Sequence, residues 1–300
     1  LIREDAVPKP GLLVIDKPTG PTSHDIVNIV RRGTQIRKVG HTGTLDPYAS
    51  GVLLVLLGAV TRLAEYLLEV DKEYLATIRF GAATSTFDAA GRITATRPFT
   101  FLQETLEAKL ASFVGERLQV PPVYSAIKIG GRKAYDMARN GEEVDMAPRK
   151  VHIYELALLR WESPNAVVRV RCSRGTYIRS IAHDIGEAMG SHAHLVSLRR
   201  IRLGPFSVER ATPLEELKRR FLEGTWEKAA MPASAVLEGW ATVQLSVEDA
   251  VKIRNGIAVP APEGAAGRAR AVAPDGELLA VLEADPAGTV WQPKKVFLDL

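Results

Sequence analysis

The sequence predicts a mixed α/β (α+β) protein with a small β-rich segment appended at its C-terminal end. Three observations carry this. Over 300 residues, stretches with the two-residue alternation of a strand are interleaved with stretches carrying the apolar stripe of a helix. After about Pro232 one short helical stretch gives way to short strand-like runs punctuated by Gly and Pro. A hydrophobic content of 46% and a charged content of 25% are those of an ordinary globular chain, long enough for one large domain and a small one.

The elements follow in order. Gly11–Asp16 is an apolar run bounded by turn residues, hence a buried strand. The turn Lys17–Thr22 leads to Ser23 as expected N-cap of a helix with Ile26, Ile29 and Val30 on its stripe. Val52–Leu57 is a second buried apolar run. Tyr74–Phe80 alternates, with Tyr74, Ala76, Ile78 and Phe80 on one face. Thr100 and Gln103 predict a capping box for a helix through Leu106 and Leu110. Lys128–Lys133 is a glycine-hinged basic turn before a short helix ending near Asn140. Val151–Arg160 and Val167–Ser173 are further strands, and Val168, Val170 and Cys172 share a face. Thr176–Met189 is a helix with Ile178, Ile181 and Ile185 on its buried stripe and Arg179 off it, free to point at a site. Beyond Pro232, Leu245–Gly256 is a helix, and strands are expected over Arg270–Ala273, Leu278–Leu282 and Val296–Leu298, with Asp275-Gly276 as a hairpin turn.

Charge and cysteine use narrow the class. The net charge is +4, but residues 241–300 hold six basic and eight acidic residues, so the positive balance lies in the first 240. Seven arginines fall between Arg169 and Arg202 against two acids, Asp184 and Glu187, which predicts a basic face for a polyanion. One cysteine excludes an intramolecular disulfide. No apolar run is long enough to span a bilayer, and Leu1–Asp5 has no signal-peptide layout, so a cytoplasmic protein is expected.

Chemistry concentrates at Gly40–Gly51, where Asp46 stands among small and turn-forming residues. Pro47 disfavours helical backbone at Asp46, and flanking glycines allow close approach. By spacing alone a tight surface turn explains the acid as well as a reactive site does. His183, His192 and His194 lack a metal-site spacing, so no metal is expected, and no phosphate-loop or dinucleotide motif supports a nucleotide cofactor. Asp46 with Asp88 leaves a two-carboxylate glycoside hydrolase open. A lone Asp with Arg and aromatic neighbours suits instead a nucleophile or base at a sugar carbon.

The stretch Gly40-His-Thr-Gly-Thr-Leu-Asp-Pro-Tyr-Ala-Ser-Gly-Val-Leu53 resembles the catalytic motif of the TruB-type tRNA pseudouridine-55 synthases. Asp16–Gly20 with Ser23, Asp71–Tyr74, and Cys172–Arg179 agree with that family in the same order. So do Pro121–Lys128 with Gly131–Tyr135, resembling its RNA-gripping insertion (about 121–150), and His194–Leu195 with Leu198–Arg200. The resemblance implies a catalytic domain over 1–236, built on a large, mostly antiparallel sheet, and a PUA-like RNA-binding domain over 237–300. It also implies an isomerase that turns a uridine of the tRNA T-loop into pseudouridine, without metal or cofactor, as a cytoplasmic monomer. The partner is the T-arm of tRNA with its target uridine flipped out.

Carried over residue by residue, Asp46 is the catalytic carboxylate and Arg179 its partner. Tyr74 packs on the target base and assists removal of the C5 proton. Tyr177 lines the pocket, His41 holds the flipped-out loop, and Lys17 and Pro18 support the catalytic loop. Arg62 touches phosphate. Leu198, Arg199, Arg174 and the insertion cations Lys128, Arg132 and Lys133 complete the expected substrate contacts. The acidic balance of the C-terminal segment argues for weak phosphate contact there. A non-catalytic tRNA-binding or folding helper using the same surface is the competing reading.

Overall fold

The computed structural model describes residues 10–125 and 127–298; residues 1–9 (with the Leu1–Asp5 stretch), Ala126 and residues 299–300 lie outside them, and for Pro10 and Lys133 only the backbone is described. The chain opens with strand β1 (Pro10–Lys17), helix α1 (Ser23–Thr34), strands β2 (Val39–Thr42) and β3 (Ser50–Leu57), a 3-10 segment (Gly58–Leu63) and helix α2 (Ala64–Leu68). Strand β4 (Lys72–Phe80), hairpin β5 (Ala82–Thr84) and β6 (Ile93–Thr96), helix α3 (Gln103–Ala111) and strand β7 (Gly115–Gln119) follow. Next come hairpin β8 (Lys128–Ile129) and β9 (Arg132–Lys133), helix α4 (Ala134–Arg139), strands β10 (Arg149–Glu162) and β11 (Asn165–Cys172), helix α5 (Ile178–Ala188) and strand β12 (Ala193–Leu203). Strands β13 (Phe206–Ser207) and β14 (Thr212–Pro213), helix α6 (Leu214–Leu222) and strand β15 (Ala230–Pro232) precede the C-terminal module. That module holds β16 (Ala241–Gln244), α7 (Val247–Arg254), β17 (Val259–Pro260), β18 (Arg268–Val272), β19 (Leu278–Ala284) and β20 (Val290–Val296). The class is mixed α/β, a large mixed sheet with helices plus a C-terminal β module.

Two compact units divide the described residues: one within Leu1–Pro47, Val52–Leu68 and Pro205–Leu300, the other within Tyr48–Gly51 and Glu69–Gly204. In the first, β1 lies between β14 and β3, β15 runs antiparallel on β1, and β2 runs antiparallel on β3. Gly51–Leu57 is buried throughout, which is why β3 is an unbroken apolar run and not an alternating one. Leu13, Ile15, Leu53, Val55 and Leu57 pack against Ile26 and Val30 of α1 and Leu214 and Leu217 of α6. Each such side chain contributes roughly 1.5–3 kcal/mol on burial. The N-cap of α1 is Thr22 rather than Ser23. Thr22 and Asp25 form the capping box, while the Ser23 hydroxyl is drawn away to the backbone of Leu45.

The C-terminal module is a five-stranded sheet in the order β16-β18-β19-β20-β17. Ile253 of α7, Ala269, Ala271, Leu279, Leu282 and Trp291 form its core. The hairpin turn at Asp275-Gly276 joins β18 to β19, with Gly276 at φ +84°. The last strand lies at Val290–Val296, upstream of the stretch the sequence predicts, because Pro and Lys interrupt its apolar pattern.

In the second unit β12, β4, β11, β10 and β7 are antiparallel neighbours. Parallel pairing there joins Ser50 and Gly51 to Arg199 and Arg200, and Asp88 to Leu195, within a sheet that is otherwise mostly antiparallel, as expected. Tyr74, Ala76, Ile78 and Phe80 are buried, as the alternation of β4 predicts. The capping box predicted at Thr100 is absent: Leu102 is the N-cap of α3 and no side chain caps it. Cys172 is a core residue, and burial pushes its thiol up to about 12, far from a nucleophile's range.

Candidate functional site

Within the first unit, the loop carrying Asp46 is held by its backbone. Lys17 is fully buried at the end of β1, and its Nζ donates to the carbonyls of Pro18 (2.9 Å), Asp46 (3.3 Å) and Pro47 (3.4 Å). The Ser23 hydroxyl accepts from the Leu45 N–H at 2.9 Å and donates to the Leu45 carbonyl at 3.0 Å. The Gly20 N–H donates to the Pro47 carbonyl at 2.8 Å. A buried ammonium is tolerated because carbonyl oxygens satisfy its protons. Leu45 is buried beneath the loop, whereas Asp46 and His41 are half-buried and Pro18 is exposed. Anchoring the backbone on both sides of Asp46 restricts where this half-buried residue can place its carboxylate. Lys17 thus sits under the loop as its support.

Arg62, in the 3-10 segment of the same unit, serves the C-terminal module. Its Nη1 donates to the Val296 carbonyl at 2.7 Å and its guanidinium lies 5.1 Å from the Phe297 ring. Lys295 donates to the Arg62 carbonyl and pairs with Glu65. Arg268 and Lys295 flank the Tyr66 ring, each 5.3 Å from its centroid, and Trp240 meets it edge-on at 5.1 Å.

In the second unit Tyr74 stands in mid-strand on β4, between Val170 and Arg200, 7% exposed. Arg179 opens α5 but is buried, contrary to the expectation of a free off-stripe side chain. Its guanidinium donates to the carbonyls of Tyr124 (3.0 Å) and Thr86 (3.4 Å) and faces Asp88 Oδ2 at 3.5 Å. Helical periodicity misplaces it because the stripe at the first turn is widened by the insertion root and the Thr86–Asp88 turn. Asp88 is 3% exposed, and its Oδ1 accepts from the Thr86 hydroxyl (2.6 Å) and the Ala90 N–H (3.0 Å). A carboxylate this buried, with both oxygens held by protein partners, is placed as a structural acid, which weakens the support for Asp88 as the second acid of a glycoside hydrolase.

Gln119 carried no signal in the sequence and emerges here. Its buried side-chain amide donates to the Tyr177 carbonyl at 3.0 Å and accepts from the Tyr177 N–H at 2.8 Å. Those are the two bonds a neighbouring strand would make. Ser180 adds a bond to the Val120 carbonyl at 2.8 Å. Tyr177, Arg179 and Ser180, at the side-chain-uncapped start of α5, are thereby tied to residues 119–124, the root of the insertion. In the insertion itself Lys128 is exposed, and Arg132 makes a two-pronged pair with Glu142 at 2.5 and 2.8 Å.

The arginine-rich strands are not an uncompensated basic face. Arg169 meets Glu155 at 2.7 Å and Glu73 at 3.8 Å, and Arg202 meets Glu73 at 3.6 Å. Arg171 meets Asp71 at 3.0 Å and Arg174 meets Glu69 at 3.6 Å. Arg200 is buried, Leu198 is 9% exposed, and Arg199 reaches the Ser50 hydroxyl at 3.4 Å. The acids come from residues 69–73 and from β10, outside the window that suggested the basic face. The three histidines meet different neighbours: His183 stacks on Phe87 at 4.0 Å with its buried Nδ1 lacking a hydrogen-bond partner, His192 meets Glu187 at 2.6 Å and His194 meets the Ala82 carbonyl at 2.8 Å. Among the described residues no group of three or more His, Cys, Asp or Glu is placed to hold a metal.

Comparison with known proteins adds the following. Residues 31–178 match the family model described as TruB family pseudouridylate synthase (N terminal domain). Residues 179–238 match that of the tRNA pseudouridylate synthase B C-terminal domain, and 240–298 that of tRNA pseudouridine synthase II, C terminal. The chain is 44% identical over 278 residues to the tRNA pseudouridine synthase B of Solibacter usitatus (strain Ellin6076), covering 91% of this chain and 95% of that protein. It is 42% identical over 299 residues to that of Geobacillus thermodenitrificans (strain NG80-2), covering 96% and 99%. Among solved structures it is similar to an H/ACA RNP bound to a substrate RNA containing 2′-deoxyuridine, with TM-score 0.74 and 26% identity over 96% of this chain and 85% of that one. A Cbf5-Nop10-Gar1 complex gives TM-score 0.74 at 29% identity, covering 96% and 85%.

Proposed function

The chain belongs to the TruB family and is a pseudouridine synthase acting on tRNA, and from that premise we propose that it isomerises the T-loop uridine at position 55 with Asp46 as the catalytic carboxylate. In the proposed reaction the bond between N1 and ribose C1′ breaks, the base turns, C5 joins C1′, and the C5 proton is lost while N1 gains one. Atoms and charge balance without an external oxidant or group donor, so the chemistry calls for no cofactor.

The observation that carries the reading is the Asp46 loop. Its backbone is anchored by Lys17, Ser23 and Gly20, and Asp46 itself is half-buried. Arg179 is assigned to keep the reacting carboxylate ionised, Tyr74 to the face of the flipped base and the C5 proton, and Tyr177 to the pocket wall. Extruding a base costs a few kcal/mol, and stacking on an aromatic returns roughly 1–3 kcal/mol. His41 holds the opened loop, and Lys17 and Pro18 act through the loop they support. Leu198, Arg199, Arg174 and the insertion cations bind the T-arm, and 237–300 acts as a PUA-like RNA-binding module of a cytoplasmic monomer.

The test is to incubate the protein with an unmodified tRNA transcript and digest the RNA to nucleosides. Wild type yields pseudouridine with no free uracil. Asp46→Asn yields none while still binding tRNA; substantial turnover by that variant would sink the assignment, and free uracil would indicate hydrolysis instead.

A further inference from the structure

Ion pairs sort the cations of this chain into two classes. Of the arginines of 169–202, Arg169, Arg171, Arg174, Arg179 and Arg202 face acids, as described above. The stretch 26–45 is the opposite case: it contains Arg31, Arg32, Arg37 and Lys38, with no Asp or Glu. Among the described residues none of these four cations forms an ion pair. They are gathered by a built turn. Gln35 closes α1 in the left-handed conformation, at φ 59°. Arg31 braces the turn from inside, with Nε donating to the Arg37 carbonyl at 3.3 Å and Nη1 to Asn28 Oδ1 at 2.7 Å. Arg32 Nε donates to the Asn28 carbonyl at 3.3 Å, and Gln35 Nε2 to the Arg32 carbonyl at 2.6 Å. The Lys38 carbonyl accepts from the Gly58 N–H at 2.8 Å, and pairing of β2 with β3 starts at the next residue, Val39. Arg31 is half-buried; Arg32, Arg37 and Lys38 are exposed.

The helix dipole accounts for cations in the last turn of α1 but not for Arg37 and Lys38 beyond it. Like charges held together without acids repel one another, and a polyanion relieves that repulsion. The same segment runs on through β2 and His41 to Asp46. Asp46 lies eight positions beyond Lys38, a chain reach of at most roughly 26–29 Å. An RNA stem whose nucleotide reacts at Asp46 therefore has its backbone within range of this turn.

We propose that Arg32, Arg37 and Lys38, braced by Arg31, form a phosphate-binding surface for the sugar–phosphate backbone of the tRNA substrate. The arginine-rich strands do not supply the main salt-dependent contact. The proposal rests on tRNA being the substrate. The experiment measures binding of an unmodified tRNA transcript from about 50 to 300 mM KCl, where counterion release makes log K linear in log salt. The variant Arg32→Gln/Arg37→Gln/Lys38→Gln is compared with Arg171→Gln/Arg202→Gln. In the first the slope falls by about 2–3 and affinity near 0.1 M salt falls about tenfold or more; in the second the slope changes by less than about 1. A wild-type slope in the triple variant, or an equal loss in the double variant, overturns the proposal. Failure of the wild-type protein to convert the transcript overturns the tRNA reading instead.

Discussion

At Lys72 burial and charge are at odds. It is 8% exposed at the start of β4, and its Nζ donates to the Val70 carbonyl at 2.7 Å. Burial, reinforced by the Arg200 guanidinium, pushes its ammonium down to about 8 from an ordinary 10.5. Between those values the unfolded chain binds the extra proton, so stability rises as pH climbs through about 8. Cys172 has the opposite sign: its thiol is held protonated to about 12, so above its ordinary 9 it lowers stability as pH rises. The rise is therefore confined to about pH 8–9. Urea unfolding is expected to show a midpoint climbing over that interval in wild type and flat in Lys72→Met. That variant is expected to be more stable at pH 7 by roughly 1–3 kcal/mol. A rise that survives the substitution would assign it to another group.

At the scale of elements, the junctions matter more than the elements. Gly51, the second residue of β3, sits at φ +102°, and a Cβ there would collide with the Arg200 carbonyl, so β12 approaches the strand after the Asp46 loop only because that position is glycine. Strand β7 reaches the first turn of α5 through one side chain, Gln119. Gln119→Leu strands the N–H and carbonyl of Tyr177, at roughly 1–3 kcal/mol for each buried group left unsatisfied. The expected result is a single-turnover rate at saturating tRNA reduced at least about tenfold, with tRNA affinity within about threefold of wild type. Gln119→Glu, which keeps the acceptor and loses the donor, should fall between. Equal losses of rate and affinity would mark Gln119 as a general stability residue.

For the molecule as a whole, the C-terminal module is tied within its unit to Arg62, Glu65 and Tyr66. Tyr66 is the centre of that attachment, flanked by two cations and met by Trp240. Exposed cation–π contacts contribute about 0.5–1 kcal/mol each and the aromatic pair a similar amount. Tyr66→Ala should release roughly 2 kcal/mol of docking and speed limited proteolysis near residues 237–241 severalfold. Unchanged cleavage would show that the module is held by other contacts.

Local periodicity made much of this chain legible in the sequence. The alternation of β4 and β11, the apolar run of β3, the stripe of α1 and the Asp275-Gly276 hairpin all appear where the pattern puts them, because each depends on residues within one turn or one strand. The motif around Asp46 was readable only as a resemblance to a known family, since spacing alone left the acid as well explained by a surface turn. What only the tertiary structure decided involves partners far apart in the chain. Arg171 meets Asp71 one hundred residues away, so a window of seven arginines looked basic when its acids lay elsewhere. Arg179 is buried by Thr86, Asp88 and Tyr124, and Gln119 finds Tyr177 across 58 residues. Secondary structure follows from short-range backbone preference and hydrophobic spacing. Charge compensation and burial follow from strand pairing, and no local pattern encodes which distant side chain that pairing brings alongside.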